Sequence, residues 1–392
     1  MPRYYYLIIG GGMTADAALH GIREVDSQNS IGLLSAESYS PYNRPPLSKG
    51  LWKGKPLDRI WRGTDKLDAE LHLGRTAQQL VPEEKRVIDN QGTEYTYEKL
   101  LLATGGTPNH LPFGGDQIIY YRTLEDYQRL RQLVGRGQRF AVIGGGFIGS
   151  EIAAALAMNG KNVTMIFPER GIGERIFPND LAQFLNDYYR EKGVTVLAEQ
   201  TVTGLETTGD HLTLKTSGQQ DIAVDGVIAG IGIRPNVHLA EAAGIEVDAG
   251  IIVDESLQTS HPHIYAAGDV AAFHNPALNM RLRVEHEDNA NTMGKLAGRA
   301  MAGEPVRYDH LPFFYSDLFD LGYEAVGLLD PRLDTAVDWA QPYRKGVIYY
   351  LREGRVAGVL LWNVWEQVEA ARTLIAELGP FELSDLKGRL PA

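Results

Sequence analysis

Two runs in this chain set a glycine-rich turn between an apolar stretch and a helix-forming one. The first is Gly10-Gly11-Gly12-Met13-Thr14-Ala15, directly after Tyr4–Ile9. The second is Gly144-Gly145-Gly146-Phe147-Ile148-Gly149, directly after Phe140–Ile143. Small residues at the first, third and sixth places of such a turn let backbone N–H groups and the positive end of a helix close on a pyrophosphate. Roughly 20 residues beyond each run stands an acid of the kind that accepts from ribose hydroxyls, Glu37 and Glu169. Two sites of this type predict two dinucleotides on one polypeptide, an arrangement that suits hydride transfer between cofactors.

Other residues sharpen the division of labour. An acid at Glu169 suits the two ribose hydroxyls of NADH and repels the 2′-phosphate of NADPH. Arg170, next to it, is the residue type a 2′-phosphate seeks, so NADH is the expected nucleotide and NADPH the competitor. In Pro41-Tyr42-Asn43-Arg44-Pro45-Pro46-Leu47-Ser48-Lys49, three prolines limit φ and position Arg44 and Lys49 with little entropy to lose. Both cations follow the acid that ends the second strand, close to where the first cofactor is expected. Ala103-Thr104-Gly105 and Gly268-Asp269 each end a buried parallel strand, where ligands bind in open α/β sheets.

The elements that must position these residues repeat one plan. The first unit reads as strand Tyr4–Ile9, helix Ala15–Glu24, strand Ile31–Ser35 and the buried run Lys99–Leu102. The second reads as strand Phe140–Ile143, helix Ser150–Asn159, strand Asn162–Phe167 and the apolar run Val224–Gly232, whose last glycine is counted with the second site. At His263–Val270 the chain returns to the first unit, followed by a helical stretch at Asn289–Ala302. From about Glu304 the texture is aromatic and β-prone, ending in a helical tail at Trp365–Leu378. The expected domains are 1–112 with 240–304, 113–239, and 305–392.

A length of 392 residues suggests two or three such domains. The net charge of −12 argues against a nucleic-acid surface. With no cysteine, the chain has no disulfide, zinc–thiolate site, Cys-ligated cluster or redox dithiol, so redox chemistry falls to an organic cofactor. No metal centre is expected. The N-terminal apolar run stops at a glycine turn with no charged n-region before it, so neither a signal peptide nor a membrane span is expected and the cytoplasm is the default.

Together the two glycine runs, Ala103-Thr104-Gly105 and Ala267-Gly268-Asp269 resemble the two-dinucleotide-binding flavoprotein reductases. Arg44-Pro45-Pro46-Leu47-Ser48-Lys49 narrows this to the ferredoxin/rubredoxin reductase and apoptosis-inducing factor branch. Arg283-Val284-Glu285-His286, Ser316-Asp317 through Gly322–Gly327, Gly346–Arg352 and Leu361-Trp362-Asn363 favour apoptosis-inducing factor. The resemblance covers nearly the whole chain. It implies an α/β fold with two Rossmann-like dinucleotide-binding domains and a C-terminal α+β domain.

The resemblance also implies FAD at Gly10, Gly12, Met13, Thr14, Ala15, Glu37, Ala103, Thr104, Gly105, Gly268 and Glu285, and NADH at Gly144, Gly146, Phe147, Ile148, Gly149, Glu151, Glu169 and Gly232. By the same resemblance, Arg44 and Lys49 contact the flavin nucleotide, and Lys49 pairs with Glu151 near the flavin N5. Asp269 binds the ribityl chain, Arg122 lies beside the adenine half, and His286 and Tyr315 border the nicotinamide. Tyr315 stands where the family usually has Trp. The short connection from Trp339 to Tyr343 lacks the insertion of the animal apoptosis proteins, and no mitochondrial presequence is seen, so a prokaryotic enzyme is expected.

The activity implied is an FAD-dependent NADH oxidoreductase, monomeric or homodimeric, passing hydride to the flavin and electrons on to an unidentified acceptor. Two alternatives stand beside it: the reductase component for a ferredoxin- or rubredoxin-type carrier, and an NADH-responsive redox-sensing protein.

Overall fold

In the computed structural model, which describes residues 1–209 and 211–391, the strand Arg3–Ile9 runs between two parallel neighbours. Ile8 stands opposite Leu33 of Ile31–Ser35 on one side and opposite Leu101 of Glu94–Leu102 on the other. All five residues of Ile31–Ser35 are buried, as expected of a strand covered on both faces. The strand Glu94–Leu102 divides its far edge. Its first residues pair antiparallel with Arg86–Asp89, and Leu100–Leu102 pair parallel with Ile264–Ala266. The returning segment thus completes the sheet that carries the first glycine turn.

This sheet belongs to the first of two compact units, Met1–Asn43, Asp58–Thr107 and Arg234–Phe314. Its helices Met13–Val25 and Glu287–Met301 cross unusually closely because glycines stand at the contact. A Cβ on Gly21 would lie 2.1 Å from the Lys295 carbonyl oxygen, one on Gly294 2.4 Å from that of Thr14, and one on Gly298 2.1 Å from that of Ala18. Backbone meets backbone there, with no room for a methyl group.

The second unit comprises Arg44–Leu57, Pro108–Ile233 and Tyr315–Ala392. Its five-stranded parallel sheet runs Val194–Leu197, Asn162–Ile166, Arg139–Ile143, Gly226–Ala229, Ile118–Tyr120. Helix Phe147–Met158 follows the second glycine turn and is buried continuously from Gly149 to Leu156. Helix Leu124–Arg136 starts on a capping box in which Thr123 and Asp126 satisfy each other's backbone N–H. In the C-terminal part, Leu321–Gly327, Arg355–Trp362, Lys345–Arg352 and Asp334–Gln341 form an antiparallel sheet, with Phe313–Leu318 at its edge.

Several boundaries differ from the sequence-based expectation. Both helices after the glycine turns begin earlier, at Met13 and Phe147, because the last turn glycine is itself the N-cap. The apolar run 224–232 is split: Val224 ends the antiparallel strand Asp221–Val224, Gly226–Ala229 joins the parallel sheet, and from Gly230 the backbone leaves that sheet to meet the glycine turn. The tail helix is confined to Val368–Ala376. Asn363 and Glu366 adopt positive φ before it, and Gly379-Pro380 follows it.

Gly298→Ala should cost about 1–3 kcal/mol in urea unfolding, since the methyl meets a carbonyl it cannot displace. Gly135→Ala, in an exposed helical position with nothing within 4 Å, should instead stabilise by about 0.5–1 kcal/mol. Equal effects at the two positions would contradict the close crossing.

Candidate dinucleotide sites

The first glycine turn is built so that one position stays open. Gly10 has φ +126°, and a Cβ there would sit 2.1 Å from the Ala103 carbonyl oxygen; one on Gly11 would sit 2.1 Å from Ser35 Oγ. Gly12, by contrast, has nothing within 4 Å of a Cβ, and as N-cap of Met13–Val25 it offers no side-chain cap. The helix N-terminus therefore presents uncapped amides to an open space, which fits a dinucleotide diphosphate. Met13 and Thr14 open the helix and Ala15 is fully buried against the sheet.

Around this turn the first unit gathers most of the residues expected to hold FAD. Glu37 accepts a hydrogen bond from Tyr42 at 2.5 Å. Thr104 and Gly105, beyond Ala103, are stapled to Asn236: Thr104 Oγ1 donates to its carbonyl at 2.8 Å, and its side-chain amide donates back to the Thr104 carbonyl at 2.8 Å. A Cβ on Gly268 would meet Thr14 Oγ1 at 2.2 Å, so this turn lies directly on the fingerprint helix. Arg283 donates to the Asp269 carbonyl at 3.0 Å and pairs with Glu285 at 2.6 Å. Its Nε is buried without a hydrogen-bond partner, which fits a polar ligand near Asp269. His286 is the N-cap of Glu287–Met301 and stacks on Phe314, ring centroids 4.3 Å apart.

The second turn repeats the design. Gly144 has φ +110°, and a Cβ there would lie 2.4 Å from the Gly230 carbonyl oxygen; one on Gly149 would lie 2.0 Å from the Gly144 carbonyl oxygen. Between them Gly146 is open, with nothing within 4 Å and no side-chain cap on the helix that Phe147 and Ile148 begin. These positions fit the diphosphate of a second dinucleotide. Gly232, at φ +85°, accepts from the Asn109 backbone N–H at 2.9 Å.

Glu169 is held by Arg175, not by its neighbour Arg170: Arg175 Nη2 lies 2.7 Å and Nε 2.9 Å from Glu169 Oε1. The backbone of Arg170 is fixed instead, its N–H on Glu174 and its carbonyl on Asn186. Arg170, expected as the residue type that a 2′-phosphate would seek, makes no side-chain contact with Glu169 among those described. Arg175 had no signal beyond its charge.

The second unit also brings Lys49, Glu151 and Tyr315 together. Glu151 is 4% exposed, and Lys49 Nζ lies 2.6 Å from its Oε1. Ser48 donates to Oε2 at 2.5 Å and Ser316 to Oε1 at 2.6 Å. A buried carboxylate is tolerable only with such donors. Tyr315 lies under the ammonium, 5.1 Å from Lys49 Nζ to the ring centroid. Burial pushes the hydroxyls of Tyr189 and Tyr323 far above the usual phenol range, with Glu151 adding to the effect, so both stay neutral. Arg44 donates to the Arg122 carbonyl at 3.0 Å, while Tyr121 and Trp52 both donate to the Leu47 carbonyl. Ser48, Ser316 and Tyr121 were not singled out for these contacts from sequence, because their partners lie far away along the chain, and Trp52 was not because its Leu47 partner carries no local mark.

Among the described residues there is no group of side chains suited to hold a metal ion, and no helix is long and apolar enough to cross a membrane.

Comparison with known proteins agrees with this geometry. Residues 4–294 match the family model described as pyridine nucleotide-disulphide oxidoreductase. Residues 297–343 and 337–377 match that of the apoptosis-inducing factor, mitochondrion-associated, C-terminal domain. The chain is 34% identical to apoptosis-inducing factor 1, mitochondrial, of Dictyostelium discoideum, over 96% of this chain and 79% of that one. It is 31% identical to putidaredoxin reductase of Pseudomonas putida, over 96% and 92%. The crystal structure of the covalent putidaredoxin reductase–putidaredoxin complex matches with a TM-score of 0.91 at 30% identity, covering 98% of this chain and 96% of that one. The chain belongs to the pyridine nucleotide-disulphide oxidoreductase family, and is an FAD-dependent NAD(P)H oxidoreductase.

Proposed function

We propose that this oxidoreductase draws hydride from NADH in preference to NADPH and delivers electrons to a small iron–sulfur carrier of the ferredoxin type. Bound FAD supplies the chemistry that both ends need, taking up two electrons as hydride and giving them up singly. The observation that carries the choice of acceptor is extent of likeness. Putidaredoxin reductase is matched over 92% of its sequence and 96% of its structure, against 79% for the slime-mould apoptosis-inducing factor. The absence of cysteine supports it too, since electrons cannot leave through a dithiol of this chain. A cytoplasmic location and a monomeric or homodimeric state belong to the same proposal, as does the division into domains 1–112 with 240–304, 113–239 and 305–392.

Each residue has a task in this reading. Gly12 and Gly146 leave room for the two diphosphates, FAD at the first and NADH at the second. Glu37 and Asp269 hold FAD hydroxyls, Arg44 and Arg122 its nucleotide, and Glu169 the NADH ribose. Lys49 provides a fixed positive charge for hydride transfer, preorganised by Glu151 with Ser48 and Ser316. His286 and Tyr315 border the nicotinamide.

A second reading, an NADH-responsive sensor, is favoured by the match of the C-terminal region to the apoptosis-inducing factor model. Slow turnover with every acceptor and an NADH-dependent change in sedimentation would favour it over the first.

The acceptor is tested by comparing reduction of a ferredoxin-type carrier with that of a small quinone across a salt series. Carrier reduction should be the faster at low salt and fall as salt rises, because such carriers are acidic and dock electrostatically. Quinone reduction that outpaces a salt-insensitive carrier rate would overturn the assignment.

Lys49→Met with Glu151→Gln removes the charge pair without stranding a buried carboxylate. It should slow NADH-driven bleaching of the flavin by about 10²-fold; an unchanged rate with unchanged FAD content would rule the pair out. For the nucleotide, kcat/KM should favour NADH in the wild type. Glu169→Ala should narrow that preference, and Arg175→Ala should widen it by removing the cation nearest the ribose acid. A wild-type preference for NADPH would reverse the reading.

A further inference from the structure

The first turn of the fingerprint helix carries a residue that the proposed FAD site should not welcome. Asp16 is 1% exposed and lies one helical turn beyond Gly12, its backbone N–H on the Gly12 carbonyl. A carboxylate in a first turn is favoured by the helix dipole. Here it draws on the same positive end that a diphosphate would use, and two anions so close in a buried setting repel each other.

The structure answers that charge with one guanidinium. Arg62 Nε lies 2.5 Å from Asp16 Oδ2, while Thr64 Oγ1 donates to Oδ1 at 2.5 Å. The same guanidinium reaches Asn43 Oδ1 through Nη1 at 2.7 Å and Asn291 Oδ1 through Nη2 at 2.9 Å. His20 is the other titratable group on Asp16, one turn further along, with Nε2 at 3.9 Å and the side chain half exposed. Arg62 also has its backbone N–H on the Pro41 carbonyl. It therefore ties the Pro41–Asn43 stretch to both glycine-packed helices, through Asp16 on one and Asn291 on the other.

We infer that Arg62 is a positioning residue for FAD, one that neutralises Asp16 so the N-terminus of Met13–Val25 remains available to the cofactor's diphosphate. The inference rests on the assignment of FAD to the Gly10–Ala15 turn. Its signature is conditional. Removing the cation exposes the diphosphate to an uncompensated carboxylate, and removing the carboxylate makes the cation dispensable for that purpose. A purely architectural arginine would be needed whether or not residue 16 carries charge.

The test is a double-mutant cycle read out as the dissociation constant of FAD, measured by fluorescence recovery on diluting the holoprotein, with thermal unfolding of the apoprotein alongside. Arg62→Gln should weaken FAD binding at least tenfold. Asp16→Asn alone should leave binding equal or tighter, and Asp16→Asn with Arg62→Gln should recover most of the loss. Arg62→Lys, which keeps the charge, should retain more affinity than Arg62→Gln. An additive cycle, or an Arg62→Gln effect confined to apoprotein unfolding, would overturn the inference. The underlying assignment is checked separately by Gly12→Val, which should abolish FAD binding. If it does not, the site is misplaced; if it does and the cycle is additive, only the role of Arg62 fails.

Discussion

A diphosphate can reach the N-terminal amides of a helix only where no side chain stands in front of them, and this chain meets that condition twice. In each fingerprint the outer glycines are forced by the fold, because a Cβ at Gly10, Gly144 or Gly149 would strike a backbone carbonyl oxygen at 2.0–2.4 Å. The middle glycine is not forced by anything in the protein. Gly12 and Gly146 have ordinary negative φ values, −91° and −83°, and open space where a Cβ would be. No neighbouring protein atom requires their smallness. The rest of the architecture, with each strand feeding its turn and each helix held against its sheet, keeps those two openings in place.

The second organising feature is electrostatic. Glu151 stands on the helix that follows the second opening, buried, and is made tolerable by Lys49, Ser48 and Ser316. Two of these donors come from Arg44–Leu57, a segment whose flanking chain belongs to the first unit while the segment itself belongs to the second. That segment is anchored by Trp52 and Tyr121, which share the Leu47 carbonyl, and by Asn159, which donates to the Trp52 carbonyl. The Arg44–Leu57 segment thus rides on the helix of the second fingerprint. A substitution that loosens Trp52 would be felt at Lys49.

Much of this was legible in the sequence because it is local. A glycine spacing, a strand before it and a helix after it fit within some fifteen residues, so the two strand–turn–helix units and the return of the chain near Ile264 could be read directly. The pairing of Lys49 with Glu151 came from resemblance, and the structure brings the two side chains together at 2.6 Å. What was not legible depends on contacts between distant positions. Ser316 reaches Glu151 across 165 residues and Arg62 reaches Asn291 across 229, and neither serine nor arginine carries a local mark of such a partner. The contact of Arg175 with Glu169 has a different origin. The intervening glycines turn the loop back, so the residue six positions on, not the next one, meets the acid.

The central claim is that the two openings serve different dinucleotides, FAD at Gly12 and NADH at Gly146. Gly146→Val tests it most directly, because its Cβ meets no protein atom within 4 Å and the side chain is placed where it should obstruct a bound ligand. The variant should purify with full FAD content and unchanged unfolding temperature. Mixed anaerobically with NADH in a stopped-flow instrument, it should bleach only at concentrations far above those the wild type needs. Bleaching at wild-type NADH concentrations, or loss of FAD from the purified protein, would contradict the account.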